Sequence, residues 1–505
     1  MDRKKTYNLI SVLMVAVILA VALCCPFSTI NAYAEANLNS PVYSAWHLAE
    51  GEQYGLNARS LWDYIKGKTS YNVANSSSTV VVAVIDSGID VNQPFFKGAL
   101  WTNNKESKNG ADDDNNGVID DINGVNFTAK SGGKYTGDIS DSMTGGTASQ
   151  YWHGTHVSGI VRSVAPNVKI MPLKAGVKDG KNCNFDATSV VNAIIYAVNH
   201  GANVINLSFG TKKESFVNEK VSVVNTSTKY SIIDAINYAI SQNVLVVAAQ
   251  GNDGEKTKFY PASCEGVVSV MASDDKGRRW SSSNYLETAS LSAPGVEILS
   301  TIGVSSTYNS TTPKGYGYKN GTSMAAPYVS GVAALLMSVT GIRDGEIIKK
   351  YITDTSLLST FDFNNSLGKK NLLLDNAAAK KMLDKLLDEE NTIIPDDVYK
   401  KSIECYDNKT ITLRVSQKYD GEPEWYNNGV NTKNVGPSYT FKPSVNTIIE
   451  VRVNGIIVET YTVTVKSYAL LVLGICLGVG GGIVVMLVVG FVAVKQANKK
   501  KISAE

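Results

Sequence analysis

Hydrophobic and polar positions divide this chain into segments of different period. Residues 9–23 form an apolar run behind Arg3, Lys4 and Lys5. Residues 80–85 are a continuous β-branched run, the mark of a strand buried on both faces. Strand patterns follow at 168–173, 204–209 and 244–249, and helical patterns at 186–200 and 231–241. That alternation predicts an α/β fold, a parallel sheet with helices on both faces. Residues 324–339 read as a buried helix and 372–387 as the helix that closes the domain. After a linker at 391–398, which contains Pro395, the period changes to two at 410–415, 447–453 and 456–465. Asn454-Gly455 reads there as a tight hairpin turn, and Trp425 and Tyr439 as the anchors of a small all-β core.

The two ends carry membrane signals. The basic residues, the apolar run and Ala32-Tyr33-Ala34 form a secretory signal peptide cut after Ala34, with an uncleaved anchor as the alternative. Cys24 and Cys25 invite lipidation, which Leu23 in the preceding position disfavours. Residues 468–494 are 27 residues without a charge, about 40 Å of helix against a hydrocarbon core of about 30 Å. Lys495, Lys499, Lys500 and Lys501 follow, so the tail 495–505 is predicted to be cytoplasmic and the body extracellular.

Of 48 basic and 46 acidic residues, these end segments hold seven and two, leaving 41 against 44, a net charge near −3 for the body. No basic run interleaved with aromatics occurs in it, which argues against a nucleic-acid partner. Three of the six cysteines, Cys183, Cys264 and Cys405, lie outside the end segments. At most one disulfide can form among them, and the sequence does not choose the pair.

Four stretches carry chemistry. Gly321-Thr322-Ser323-Met324-Ala325-Ala326-Pro327 puts a serine at the N-terminus of the buried helix, where unpaired N–H groups and the dipole favour an oxyanion. Pro327 is expected to fall in the first turn, where proline costs no hydrogen bond. Asp86 stands where the first strand ends, His153 opens His153-Gly154-Thr155-His156-Val157-Ser158-Gly159, and Asn252 lies in a Gly-rich turn after the strand at 244–249. Alone, Ser323 reads as a helix cap and Asp86 as a turn residue. Together they supply nucleophile, base, orienting carboxylate and amide donor.

In the order Asp, His, Asn, Ser, and in the signatures VAVIDSGID, HGTHVSG, AAQGNDG and GTSMAAP, the chain resembles the subtilisin-like serine proteases over about residues 46–387. The resemblance implies a catalytic domain at 46–390 with Ser323 as nucleophile, His153 as general base and Asp86 as orienting carboxylate. Asn252 and the Ser323 N–H would line the oxyanion hole, and His156 would be structural. It also implies that Ser208, Phe209 and Gly210 face Ala249 to Gly251 across the pocket for the substrate residue before the scissile bond, whose glycines hint at room for a large side chain. Gly180 to Asn182 would pair with an extended peptide. Residues 35–45 leave no room for a folded inhibitory prodomain, as in the mycosins, and the β module at 399–466 is similar to bacterial Ig-like spacers.

No cofactor is required for this chemistry. The acidic run from Asp112 to Asp121 offers oxygens at Asp112, Asp114, Asn116, the Val118 carbonyl and Asp121, around a glycine at the sixth position, as a candidate structural calcium loop. The alternative is a solvated acidic turn. The implied function is an endopeptidase at the outer face of the cell membrane, acting on secreted or surface polypeptides, with a catalytically silent binding module as the alternative.

Overall fold

The computed structural model describes residues 40–390 and 400–466, apart from residues 70, 72, 74–77, 145–150, 287–288, 362–370, 407–410, 415–422, 428–429, 437, 442–446 and 454–455. The predicted signal segment, the 391–398 linker, the 454–455 turn and the 468–494 span lie outside the described residues. The chain divides into two compact units, Met1–Glu389 and Glu390–Glu505.

The first unit is built on β1 (Val81–Asp86), α1 (His153–Val164), β2 (Lys169–Lys174), α2 (Ala187–Asn199), β3 (Val204–Leu207), α3 (Ile232–Ser241), β4 (Leu245–Ala249), β5 (Val268–Ser273), β6 (Leu291–Pro294) and α4 (Thr322–Thr340). The strands lie parallel in the order β6-β5-β4-β3-β1-β2, within a sheet of eleven. Alternation within each strand sorts side chains to two layers. Val82 and Val84 join one core with α1 and α4, while Val81, Ala83 and Ile85 join the other with α2 and α3. A strand covered on both faces is mostly apolar along its length, and β1 meets its first polar side chain at its last residue, Asp86.

Local signals fix the helix ends. Asp186 caps α2 by accepting from the Ser189 N–H at 2.9 Å, and Ser231 and Asp234 form a reciprocal capping box at the start of α3. The closing helix spans Asn376–Glu390, and the predicted start at 372 falls instead in a short strand, Asn371–Leu373. Leu373 registers with Ser292 of β6, so sheet pairing overrides helix propensity there.

In the second unit Lys400–Tyr406, Glu424–Asn427, Val430–Val435, Thr447–Val453 and Ile456–Lys466 form one sheet, while Ile411–Arg414 pairs with Ser438–Phe441. Trp425 is fully buried, and its ring lies 5.7 Å from that of Tyr439 and 6.0 Å from that of Tyr461. Among the described residues one helix, α4, is long and apolar enough to cross a membrane. It is a core helix, 83% buried over its most apolar window.

Candidate active site

The sheet order turns about β1: β2 joins it on one side and β3 on the other, and such switch points are where open α/β sheets place their sites. The carboxyl ends of β1, β3 and β4 deliver Asp86, Ser208 and the 250–252 turn to one edge.

Asp86 is completely buried, and its Oδ1 lies 2.8 Å from Nδ1 of His153. The same oxygen accepts from the Ser87 N–H at 2.7 Å. His153 is the first residue of α1, held at this distance because Gly154 packs onto the end of β1. A Cβ on Gly154 would stand 2.2 Å from the Gly88 carbonyl oxygen, so glycine is what permits the approach. Trp152, with φ +57°, turns the chain into α1 from the left-handed region.

A buried frame braces the pair. The Ser87 hydroxyl donates to Asp141 Oδ1 at 2.7 Å and accepts from the Gly154 N–H at 2.9 Å. The other oxygen of Asp141 accepts from the N–H and hydroxyl of Thr155 at 3.1 and 2.6 Å. Burial pushes the Asp141 carboxyl up, and these donors oppose the shift. His156 serves the fold as expected: its Nε2 lies 3.1 Å from the Ile298 and 3.0 Å from the Gly317 carbonyl oxygen, and burial pushes its pKa well down.

Ser323 is the second residue of α4. The cap before it, Gly321, has φ +154° and ψ +159°, a conformation essentially reserved for glycine. The Ser323 hydroxyl donates to the Ser208 carbonyl at 2.8 Å, and the Ser208 hydroxyl donates to the Ser323 carbonyl at 2.9 Å. The second contact corrects the reading of Pro327. That proline sits in the second turn, inside the helix, and the N–H it lacks would have bonded the carbonyl four residues back, that of Ser323. The Ser208 hydroxyl takes the freed acceptor, backed by Asn206 Nδ2 at 2.9 Å and by Ser330, whose hydroxyl donates to Asn206 Oδ1 at 2.9 Å.

Asn252 presents Oδ1 to the N–H and hydroxyl of Thr322 at 2.9 and 3.0 Å, which fixes the amide so that Nδ2 remains as donor. A Cβ built on Gly321 would lie 3.5 Å from Asn252 Nδ2 and 3.6 Å from the Ser323 nitrogen, so both donors flank one small space. The 251–255 turn is pinned by Asn284, whose Oδ1 accepts from the N–H groups of Asp253 and Glu255 at 2.9 and 3.2 Å.

His153, Asn252 and Ser323 line one cleft of ≈ 170 Å³, together with Ser208, Phe209, Gly210, Ala249 and Gly251. Gly180 does not. It occupies the turn of the Gly176–Asp179/Asn182–Phe185 hairpin with φ +61°, and that hairpin reaches the cleft through Cys183 and Phe185. Cys183 and Cys264 are free thiols, both with pKa pushed up by burial. Phe259 also lines the cleft. A larger cavity of ≈ 790 Å³ beside Trp46 and Trp280 shares no residue with it.

In the acidic run, Asp112 and Asp114 are joined by Glu106, their carboxylate oxygens all within 4.8 Å of one another. Glu106 is 8% exposed, and its Oε2 is buried without a hydrogen-bond partner. Asp121 accepts from Tyr196, Asn116 Nδ2 and Asn103 Nδ2, and Asp112 from the Lys134 ammonium at 2.7 Å and the N–H groups of Asn116 and Gly117 at 3.0 Å. Asn116 Oδ1 accepts from the Val118 N–H at 2.9 Å.

Residues 77–386 match the subtilase family, peptidase S8. The thermophilic serine proteinase of Bacillus sp. strain AK1 is 33% identical over 299 residues, 57% of this chain and 58% of its own. An extracellular basic protease of Dichelobacter nodosus is 29% identical over 360 residues, 66% of this chain and 54% of its own. Subtilisin BL of Lederbergia lenta is 34% identical over 226 residues, 43% of this chain and 74% of its own. The chain thus spans a little over half the length of the first two. Motif order, sheet topology and the family match agree: this chain belongs to the subtilase family.

Proposed function

We propose that this chain is a serine endopeptidase that hydrolyses polypeptides through an acyl-enzyme. The observation that carries the reading is the 2.8 Å Asp86–His153 contact in the cleft that also holds Ser323 and the Asn252 amide. Asp86 fixes the imidazole with Nδ1–H toward the carboxylate, leaving Nε2 to accept a proton. For attack the Ser323 hydroxyl rotates about χ1 from the Ser208 carbonyl toward His153, since catalytic hydrogen bonds often form fully only when substrate binds. Its Oγ adds to the scissile carbonyl while Nε2 takes the proton. The oxyanion accepts from the Ser323 N–H and Asn252 Nδ2. His153 returns the proton to the leaving amine, and water repeats the cycle on the ester.

The Ser323–Ser208 contact also favours a second reading, a catalytically silent binding module. Labelling by a fluorophosphonate separates the two, because a silent serine does not react. Anchoring at the outer face of the membrane rests on the sequences of residues 1–34 and 468–494, and the β unit is read as an Ig-like spacer between enzyme and span. Protease digestion of intact cells, removing the catalytic unit while sparing the tail, tests that topology.

The acidic run fits a structural calcium. Glu106, Asp112 and Asp114 supply hard oxygens, and the unpartnered Oε2 of Glu106 is a buried acceptor that a cation would satisfy. Its carboxyl is pushed up by burial, with the charges of Asp121 and Asp114 adding, which a divalent ion would reverse.

A further inference from the structure

We propose that the ring of Phe259 restricts the substrate residue on the acyl side of the scissile bond to a small side chain, glycine, alanine or serine. The proposal rests on the endopeptidase reading above. Two backbone segments flank Ser323 in the cleft, one through the Ser208 carbonyl and the other through Gly251, whose N–H donates to the Thr322 hydroxyl at 3.0 Å. The side chain carried by an acyl carbon on Ser323 enters between them.

Phe259 already occupies the gap. A Cβ on Gly210 would stand 2.5 and 2.8 Å from its Cε1 and Cδ1, and a Cβ on Gly251 would stand 2.8 Å from both its Cδ2 and Cγ. One ring therefore meets both walls with opposite edges. Carbon atoms in ordinary contact sit about 3.5–4.0 Å apart, so a Cβ at either position would collide with the ring, as it would with the Tyr260 carbonyl oxygen at 2.4 Å from Gly210 and with Asn284 Nδ2 at 2.4 Å from Gly251. The space these glycines leave is taken up by the Phe259 ring and by their backbone and amide neighbours, not left open for a large substrate residue.

The ring is placed by its own backbone. The Phe259 N–H donates to the Ser263 hydroxyl at 3.1 Å, and Tyr260 and Thr211 exchange two backbone hydrogen bonds of 2.8 Å. These tie the segment carrying Phe259 to the chain just beyond Gly210. A leucine or phenylalanine entering the gap would have to displace a ring fixed at its base, whereas a methyl group need not.

The test uses the purified full chain with matched internally quenched peptides that differ only at the residue before the cleavage site: Gly, Ala, Ser, Leu or Phe. Fluorophosphonate titration counts competent sites first. The expected result is kcat/KM for Ala and Ser at least about tenfold above Leu and Phe. Phe259→Ala, and to a smaller degree Phe259→Leu, should raise kcat/KM for the Leu and Phe substrates relative to the Ala substrate about tenfold or more. Titrated wild-type enzyme that cleaves after Leu or Phe as well as after Ala overturns the proposal and leaves the endopeptidase reading standing. A small-residue preference unchanged in both variants also overturns it, since another group would then set the limit. If Phe259→Ala does not titrate, the more conservative Phe259→Leu carries the comparison. Absence of labelling at Ser323 in the wild type sinks the endopeptidase reading and this proposal with it.

Discussion

Ser208 and Ser323 hold each other by two hydrogen bonds, each hydroxyl donating to the other residue's carbonyl at 2.9 and 2.8 Å. The pairing follows from Pro327, which leaves the Ser323 carbonyl without its helical donor. Ser208→Ala strands that carbonyl and Asn206 Nδ2, both in the buried network. The expected cost is about 1–3 kcal/mol, read as a lower midpoint in urea unfolding, while turnover per mole of folded protein falls far less than in Ser323→Ala.

Asn252 separates positioning from donation. Asn252→Ala should lower kcat about 10²–10³-fold with little change in KM. Asn252→Asp keeps an acceptor for the Thr322 N–H and hydroxyl yet removes the Nδ2 donor. Its melting temperature should stay close to wild type while kcat is at least as low as in the alanine variant. Recovery of activity in the aspartate variant would remove Asn252 from the oxyanion site.

Much of this site is legible from local sequence, because each of its four chemical residues sits at a strand end or a helix start with a strong pattern of its own. The buried β-branched run before Asp86 and the small-residue helix after Ser323 announce themselves. The supporting residues do not. Asp141 is one more carboxylate in an acidic loop, and Ser87 and Thr155 reveal its role by folding around it. Asn284 reaches the 251–255 turn from about thirty residues away. Phe259 and Glu106 lie in segments without period, and long-range packing alone gives them meaning. In the β unit, three strands were legible from alternation, whereas Lys400–Tyr406, with its mixed polar pattern, is defined by parallel pairing with Ile456–Lys466.

Acid should destabilise the catalytic unit through its buried histidines. Burial lowers the pKa of His47 to about 3, and the Leu299 N–H donates to its Nε2 at 3.1 Å. A histidine whose folded pKa lies below its unfolded value of about 6.5 adds stability above pH 6.5 and loses it as pH falls toward 3. Between pH 7 and pH 5 His47 should account for about 2 kcal/mol of lost stability. His47→Gln should be less stable at pH 7 and show a flatter decline, measured by urea unfolding at the two pH values.

Calcium at a hundredfold excess over its dissociation constant should stabilise the protein by about 2.7 kcal/mol, seen as a melting temperature several degrees higher than in chelator. Because Glu106 has a raised pKa in the metal-free fold, its carboxylate form is disfavoured there, and metal-free stability falls as pH rises past the ordinary glutamate range. The gain from calcium should therefore be larger at pH 7 than at pH 5. Glu106→Gln should abolish most of the gain. An unchanged gain in that variant would move the ion elsewhere, and no gain in the wild type would leave the run a solvated turn.

The most direct test of the whole account is fluorophosphonate labelling of the purified full chain, with the modified peptide identified by mass spectrometry. The account predicts one label, on Ser323, lost in Ser323→Ala and slowed by orders of magnitude in His153→Ala and Asp86→Ala. Folded protein that takes no label, or takes it equally well without His153, would contradict it.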